Sequence, residues 1–139
     1  MAKYVVTGNT VSFNGTDISA SVARAELVIS SAEVDVTDFA SGGWTEVVGG
    51  LKSGSVSLDL HADFGASGLS TLIGEAQVGT LGTVTIIAGN GTAASSTTPE
   101  YTAVCLVSSV TPVAGAVGDL STFSVTWPTS GEITKGTGA

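Results

Sequence analysis

From Ser55 to Ala62 the chain alternates without a break: Val56, Leu58, Leu60 and Ala62 fall on one side, Ser55, Ser57, Asp59 and His61 on the other. A two-residue period belongs to an extended strand with one face in a core and the other facing solvent. Residues 53–62 therefore read as a strand, and the β-rich stretch upstream, residues 27–39, reads as its neighbour. That first strand places Glu33 and Asp35 on one face. If the two strands pair with polar faces aligned, one surface is acidic and hydroxyl-rich, carrying Glu33, Asp35, Asp59 and His61, and the other is aliphatic.

Between them, residues 40–52 read as a loop too long for a tight hairpin. It holds Gly42-Gly43 and Gly49-Gly50, yet also Trp44, Val47, Val48 and Leu51. Glycine pairs make the backbone permissive, and large apolar groups on a mobile loop have no local core to enter. Burial against another protein chain resolves the conflict. A tryptophan folding back onto its own domain is the plainer alternative.

The rest of the chain follows the same grammar. Val11-Ser12-Phe13 meets Asn14-Gly15, whose tolerance of positive φ marks a type I′ hairpin, with a short return strand near residues 17–19. Residues 3–6 read as an N-terminal strand or arm, and residues 21–24 as a bend or a single helical turn. Leu69, Leu72, Ile73 and Ala76 recur at i, i+3, i+4 and i+7, one apolar stripe on a short helix that packs on the sheet. Ser67 is its N-cap and Gly79 its stop. Residues 84–88, 101–110 and 120–127 are further strands, with residues 101–110 apolar on both faces and so covered twice. Phe123, Val125 and Trp127 share one side of the last strand, and Pro128 closes it. The Gly- and Thr-rich tail, 129–139, reads as flexible unless a neighbour orders it. About six or seven antiparallel strands with one short flanking α-helix make a mainly β sandwich or barrel, a single domain over residues 1–139.

Charge and cysteine content narrow the function classes. Only 12% of residues are charged, about half of the roughly 25% typical of soluble domains, as if much of the exterior is covered in the working state. Twelve acids face only Lys3, Arg24, Lys52 and Lys135, a formal charge of −8. Phosphate neutralisation needs clustered Lys and Arg, so a nucleic-acid-binding surface is disfavoured. Cys105 is the sole cysteine, set in an apolar strand, so no intrachain disulfide forms and the residue reads as core. The first ten residues lack the apolar segment of a secretory signal, and no apolar run approaches membrane-spanning length, so no membrane partner is expected. Asn14-Gly15-Thr16 and Asn90-Gly91-Thr92 match the glycosylation pattern but read as turns.

Catalytic chemistry has little to build on. Asp59-x-His61-x-Asp63 could offer three ligands on one strand face, but one histidine with scattered acids is better read as a solvated sheet face. The glycine pairs lack the Lys-Ser/Thr ending of a phosphate loop, and no nucleophile elbow is present. No catalytic residue, metal or cofactor is expected.

Four segments carry a family resemblance: FNGTDIS, EVDVTDFASGGWTEVVGGLKSGSVSLDL, GLSTLIGEA and FSVTWPTSGEITKG. In order and texture the chain resembles the major tail tube proteins of long-tailed bacteriophages, in the compact form found in actinobacteriophages. The resemblance implies a β-barrel or sandwich flanked by one helix, a fold shared with the type VI secretion tube. It further implies hexameric rings stacked into a hollow tube of the virion tail, assembled in the host cytoplasm. Residues 40–52 would then be the loop that docks on a neighbouring subunit, and residues 1–10 and 129–139 the terminal arms. The implied partners are the chain itself, a tape measure protein, a tail terminator and baseplate proteins, with DNA passing through an acidic lumen without specific binding. The alternatives are another virion ring or decoration protein, or a small β-sandwich glycan-binding module.

Overall fold

The computed structural model describes residues 3–62, 77–91, 93–111, 113 and 115–137. Among the described residues, eight strands form two antiparallel sheets. They are β1 (Thr10–Phe13), β2 (Thr16–Asp17), β3 (Val22–Asp35), β4 (Val47–His61), β5 (Leu81–Ile87), β6 (Glu100–Leu106), β7 (Thr122–Pro128) and β8 (Thr134–Gly136). One sheet runs β2-β1-β5-β6-β8, the other β3-β4-β7. The helix expected at residues 69–76, with Leu69, Leu72, Ile73 and Ala76, lies outside the described residues.

The core forms where the two sheets face each other, because each strand's alternation delivers its apolar set to the same side. Opposite Val56 stand Leu27 on β3 and Trp127 on β7; opposite Leu58 stand Ala25 and Val125; opposite Leu60 stands Phe123. Val11, Phe13, Val84, Ile86, Ala103 and Cys105 meet them from the other sheet. Phe13 and Trp127, both fully buried, tilt against each other with ring centroids 5.8 Å apart. Buried tryptophan needs an acceptor for its N–H, and Trp127 Nε1 donates to Ser109 O at 2.9 Å. Phe13 fits only because β5 carries Gly82 beneath it, where a Cβ would stand 2.5 Å from the ring.

The β1–β2 hairpin turns at Asn14 (φ 51°) and Gly15 (φ 85°), as the primed turn requires. A 3₁₀ turn, Ser19–Ser21, then leads into β3. Along one side the two sheets are joined. Thr129 follows β7, donates its N–H to Gly54 O (3.0 Å) and bridges to Cys105 on β6.

Three expectations change. The described part of the tail, residues 129–137, does not trail free: Thr134–Gly136 adds β8 to the edge of β6. The strand expected at 101–110 ends at Leu106, and its second face is only half-covered, Leu106 being exposed. The largest change concerns β3 and β4. They run to Asp35 and from Val47, so the loop is 36–46, and Val47, Val48, Gly49, Gly50, Leu51 and Lys52 are strand. Gly49-Gly50 reads as a loop signal, but here glycine serves close packing. At the register shift past Ser31, a Cβ on Gly50 would meet Val34 Cγ2 at 3.1 Å and Ala32 Cβ at 3.3 Å.

Candidate assembly surfaces

Past the pair Ile29–Gly54, β3 and β4 leave the sandwich and continue as a two-stranded ribbon to Asp35–Val47. Every residue from Val28 to Ala40 is exposed, as are Val47, Val48 and Leu51. Isolated two-stranded ribbons are marginal in water. This one also shows solvent Val28, Val34, Val48 and Leu51 on one face and Ile29 and Val47 on the other. An uncovered apolar surface of this extent makes the ribbon a candidate contact site.

The ribbon ends in a loop that is built, not slack. Asp38 caps the 3₁₀ turn Phe39–Ser41: its carboxylate accepts from Ala40 N (3.0 Å) and Ser41 Oγ (3.2 Å), while its own N–H donates to Ser41 Oγ. Gly42 (φ 64°) and Gly43 (φ 87°) then reverse the chain through the left-handed region. Val36 N donates to Glu46 O, Glu46 N to Thr37 Oγ1, and Thr37 N to Asp35 Oδ1 (2.8 Å). The Thr37 hydroxyl and backbone N–H hold the Asp35 carboxyl below its ordinary value. These bonds present two aromatic groups to solvent, Phe39 fully and Trp44 at 80% exposure. Trp44 does not fold back onto its own domain. The sequence signal for this order is Asp38-x-x-Ser41, a capping pattern just ahead of the Gly pair.

The outer face of the β3-β4-β7 sheet is hydroxyl-rich. Ser57 and Thr126 hydroxyls lie 3.1 Å apart, Ser124 Oγ donates to Asp59 at 2.7 Å, and His61 stands opposite Thr122. Arg24 and Glu26 form an ion pair on the same face. The register corrects the expected acidic quartet. Arg24 opposes Asp59 and Glu26 opposes Ser57, so even positions of β3 share the face of Asp59 and His61. Glu33 and Asp35, opposite Gly49 and Val47, belong to the other face of the ribbon. Asp59 and His61 are brought together; Glu33 and Asp35 are not brought to them.

Among the described residues the N-terminal segment has no strand before Thr10, but it is pinned at its base. Asn90, in a left-handed turn (φ 61°), accepts from Thr7 N and Gly8 N at 2.9 Å and donates Nδ2–H to Val5 O at 2.9 Å. Tyr4, Val5 and Val6 remain exposed beyond that clamp. Nothing in the sequence around Asn90 beyond its Gly flanks announces this role. Cys105 is buried without exposure, which pushes its thiol up to about 11. Among the described residues no group of three or more His, Cys, Asp or Glu could hold a metal ion, and no helix is long and apolar enough to cross a membrane.

With this geometry in hand, the comparisons with known proteins are informative at the level of fold. No family model and no curated protein matches the sequence. Among solved structures, a chain of the virion of a native gene transfer agent particle superposes with a TM-score of 0.65 at 17% identity, 86% of each chain being covered. A chain of the tail of an empty gene transfer agent particle, solved by helical refinement with C6 symmetry, superposes with a TM-score of 0.57 at 15% identity, again covering 86% of each. This chain shares their fold. The two-sheet antiparallel architecture read from the alternation is thus one that occurs in a tail particle.

Proposed function

We propose that the chain is a non-enzymatic structural subunit of a phage-like tail, assembling with copies of itself into hexameric rings that stack as a hollow conduit for the genome. The observation that carries this reading is the projecting β3–β4 ribbon, with exposed apolar residues on both faces and Phe39 and Trp44 at its tip. A monomer gains nothing from holding such a ribbon in water, whereas a neighbouring copy that covers it gains the burial of every apolar residue along it. The shared fold with gene transfer agent virion and tail chains supports the same reading. Low charged content fits a surface mostly covered by neighbours.

In that assembly the hydroxyl-rich face carrying Asp59 and His61 is the wall proposed for the lumen. With a net charge of −8 and no cluster of basic residues in the sequence, the subunit repels phosphate and lets DNA slide without sticking. Glu33 and Asp35 face the subunit contacts of the ribbon instead. The N-terminal segment beyond the Asn90 clamp is one arm that meets neighbouring copies, and the C-terminal segment 129–139 meets them across the edge strand β8 that it adds to β6. A tape measure protein, a tail terminator and baseplate proteins are the further partners, and the virion tail is the location.

Negative-stain imaging of the purified protein tests this directly. Hollow tubes of variable length, with a regular axial repeat of rings, are the expected result. Strictly monomeric protein at high concentration, or single rings that never stack, refutes it.

A further inference from the structure

Where the ribbon leaves the sandwich there is a groove of about 510 Å³, lined by Ile29, Lys52, Ser53, Thr129, Glu132 and Ile133. We propose that this groove receives the aromatic tip of the β3–β4 ribbon, Phe39 and Trp44, from a second copy of the chain. The inference rests on the self-assembly reading and adds the acceptor site to it.

The groove is part of the folded body. Thr129 is tied to Gly54 O through both its N–H and its hydroxyl, and Ser130 N donates to Val104 O at 2.7 Å. Ile133 lies directly over Gly54, where a Cβ would stand 2.6 Å from Ile133 Cδ1. One apolar wall is therefore fixed by the absence of a side chain on β4. The other, Ile29, stands 56% exposed with nothing on it. The groove offers two aliphatic walls, Ile29 and Ile133, with hydroxyl and charged groups between them, a mixed lining suited to an indole that is apolar over its ring and polar at its N–H.

Reach decides which copy supplies the occupant. From Ile29 to Asp35 the ribbon extends six residues, about 20 Å of paired strand at ~3.3 Å per residue. The tip loop then closes on itself through the Val36–Glu46 and Asp38–Ser41 bonds. A tip held that far out on its own paired strands cannot return to the groove at their base. Chemistry decides the fit. Trp44 brings an indole N–H that needs an acceptor once buried, and Glu132 offers a carboxylate at the rim. Glu46 flanks Trp44 on the tip, and Lys52, one of only four Lys and Arg in the chain, stands on the groove. Two strongly acidic subunits repel each other, so an exposed cation on the groove favours this docking over others.

The test is cross-linking between two cysteine variants of the full chain, Thr45→Cys and Ser53→Cys, which leave Phe39, Trp44, Lys52 and Glu132 in place. The two are given different mass tags, mixed, assembled and treated with a short bis-maleimide; the buried Cys105 does not compete. The expected product is a covalent heterodimer of Thr45→Cys with Ser53→Cys, absent when Thr45→Cys is paired instead with Val117→Cys, a fully exposed position elsewhere. Tubes seen by electron microscopy without the heterodimer overturn the groove and leave the tube reading standing. Equal linking to Val117→Cys also overturns it. Neither tubes nor heterodimer overturns both.

Discussion

Replacing Trp44 with alanine separates folding from assembly. The side chain is 80% exposed and makes no contact with the core, so its loss should change monomer stability by no more than about 0.5 kcal/mol. In an assembled state the arithmetic differs. A tryptophan offers roughly 250 Å² to bury, of which about 200 Å² is exposed here; covering half of that at ~25 cal/mol/Å² contributes about 2.5 kcal/mol per contact. That corresponds to about a seventyfold weaker association for each subunit added. Urea denaturation below the assembly concentration reads the first quantity, and the critical concentration from sedimentation reads the second. A variant that unfolds markedly earlier while polymerising like the parent would refute the reasoning, because Trp44 would then be serving its own domain.

Three further outcomes follow from the fold. Gly82→Ala places a methyl group into the Phe13 ring and should cost about 1 to 3 kcal/mol by overpacking, read as a lower denaturation midpoint; an unchanged midpoint would mean that the core yields there. Asp17 is held below its ordinary carboxyl value of 3.8 by the Ser19 hydroxyl and backbone N–H. Its stabilising bonds are complete above that value and are lost as pH falls through the lowered pKa, so the stability gap between parent and Asp17→Asn should close in that acid range and stay constant above it. The Cys105 thiol, raised to about 11 by burial, should resist maleimide at pH 8 in the native protein and react at once in denaturant; rapid native labelling would place it outside the core.

The sequence was legible where one signal had one structural cause. Alternation in Ser55 to Ala62 and in Phe123 to Trp127 located the core faces, because each side chain's direction follows from its position alone. Asn14-Gly15 located the first turn for the same reason. Legibility failed where one residue type serves two ends. Gly49-Gly50 looks like a turn, but the missing Cβ matters here for packing under Ala32 and Val34, which only the partner strand reveals. The face of Glu33 and Asp35 depends on a bulge and on register, both set by cross-strand pairing. The tail segment 134–136 has no apolar pattern and joins β6 through backbone bonds, which no side chain advertises. The projecting segment was half legible: exposed apolar residues between two strands were foreseen, but not that most of them lie on paired strands.

Thr129 belongs to both ladders, bonded to Gly54 on one side and bridged to Cys105 on the other. The segment that follows runs along one sheet only, through Ser130 on Val104 and β8 on β6. Tension along it frees those bonds in turn before it reaches Thr129, and only there does the load pass into both ladders at once.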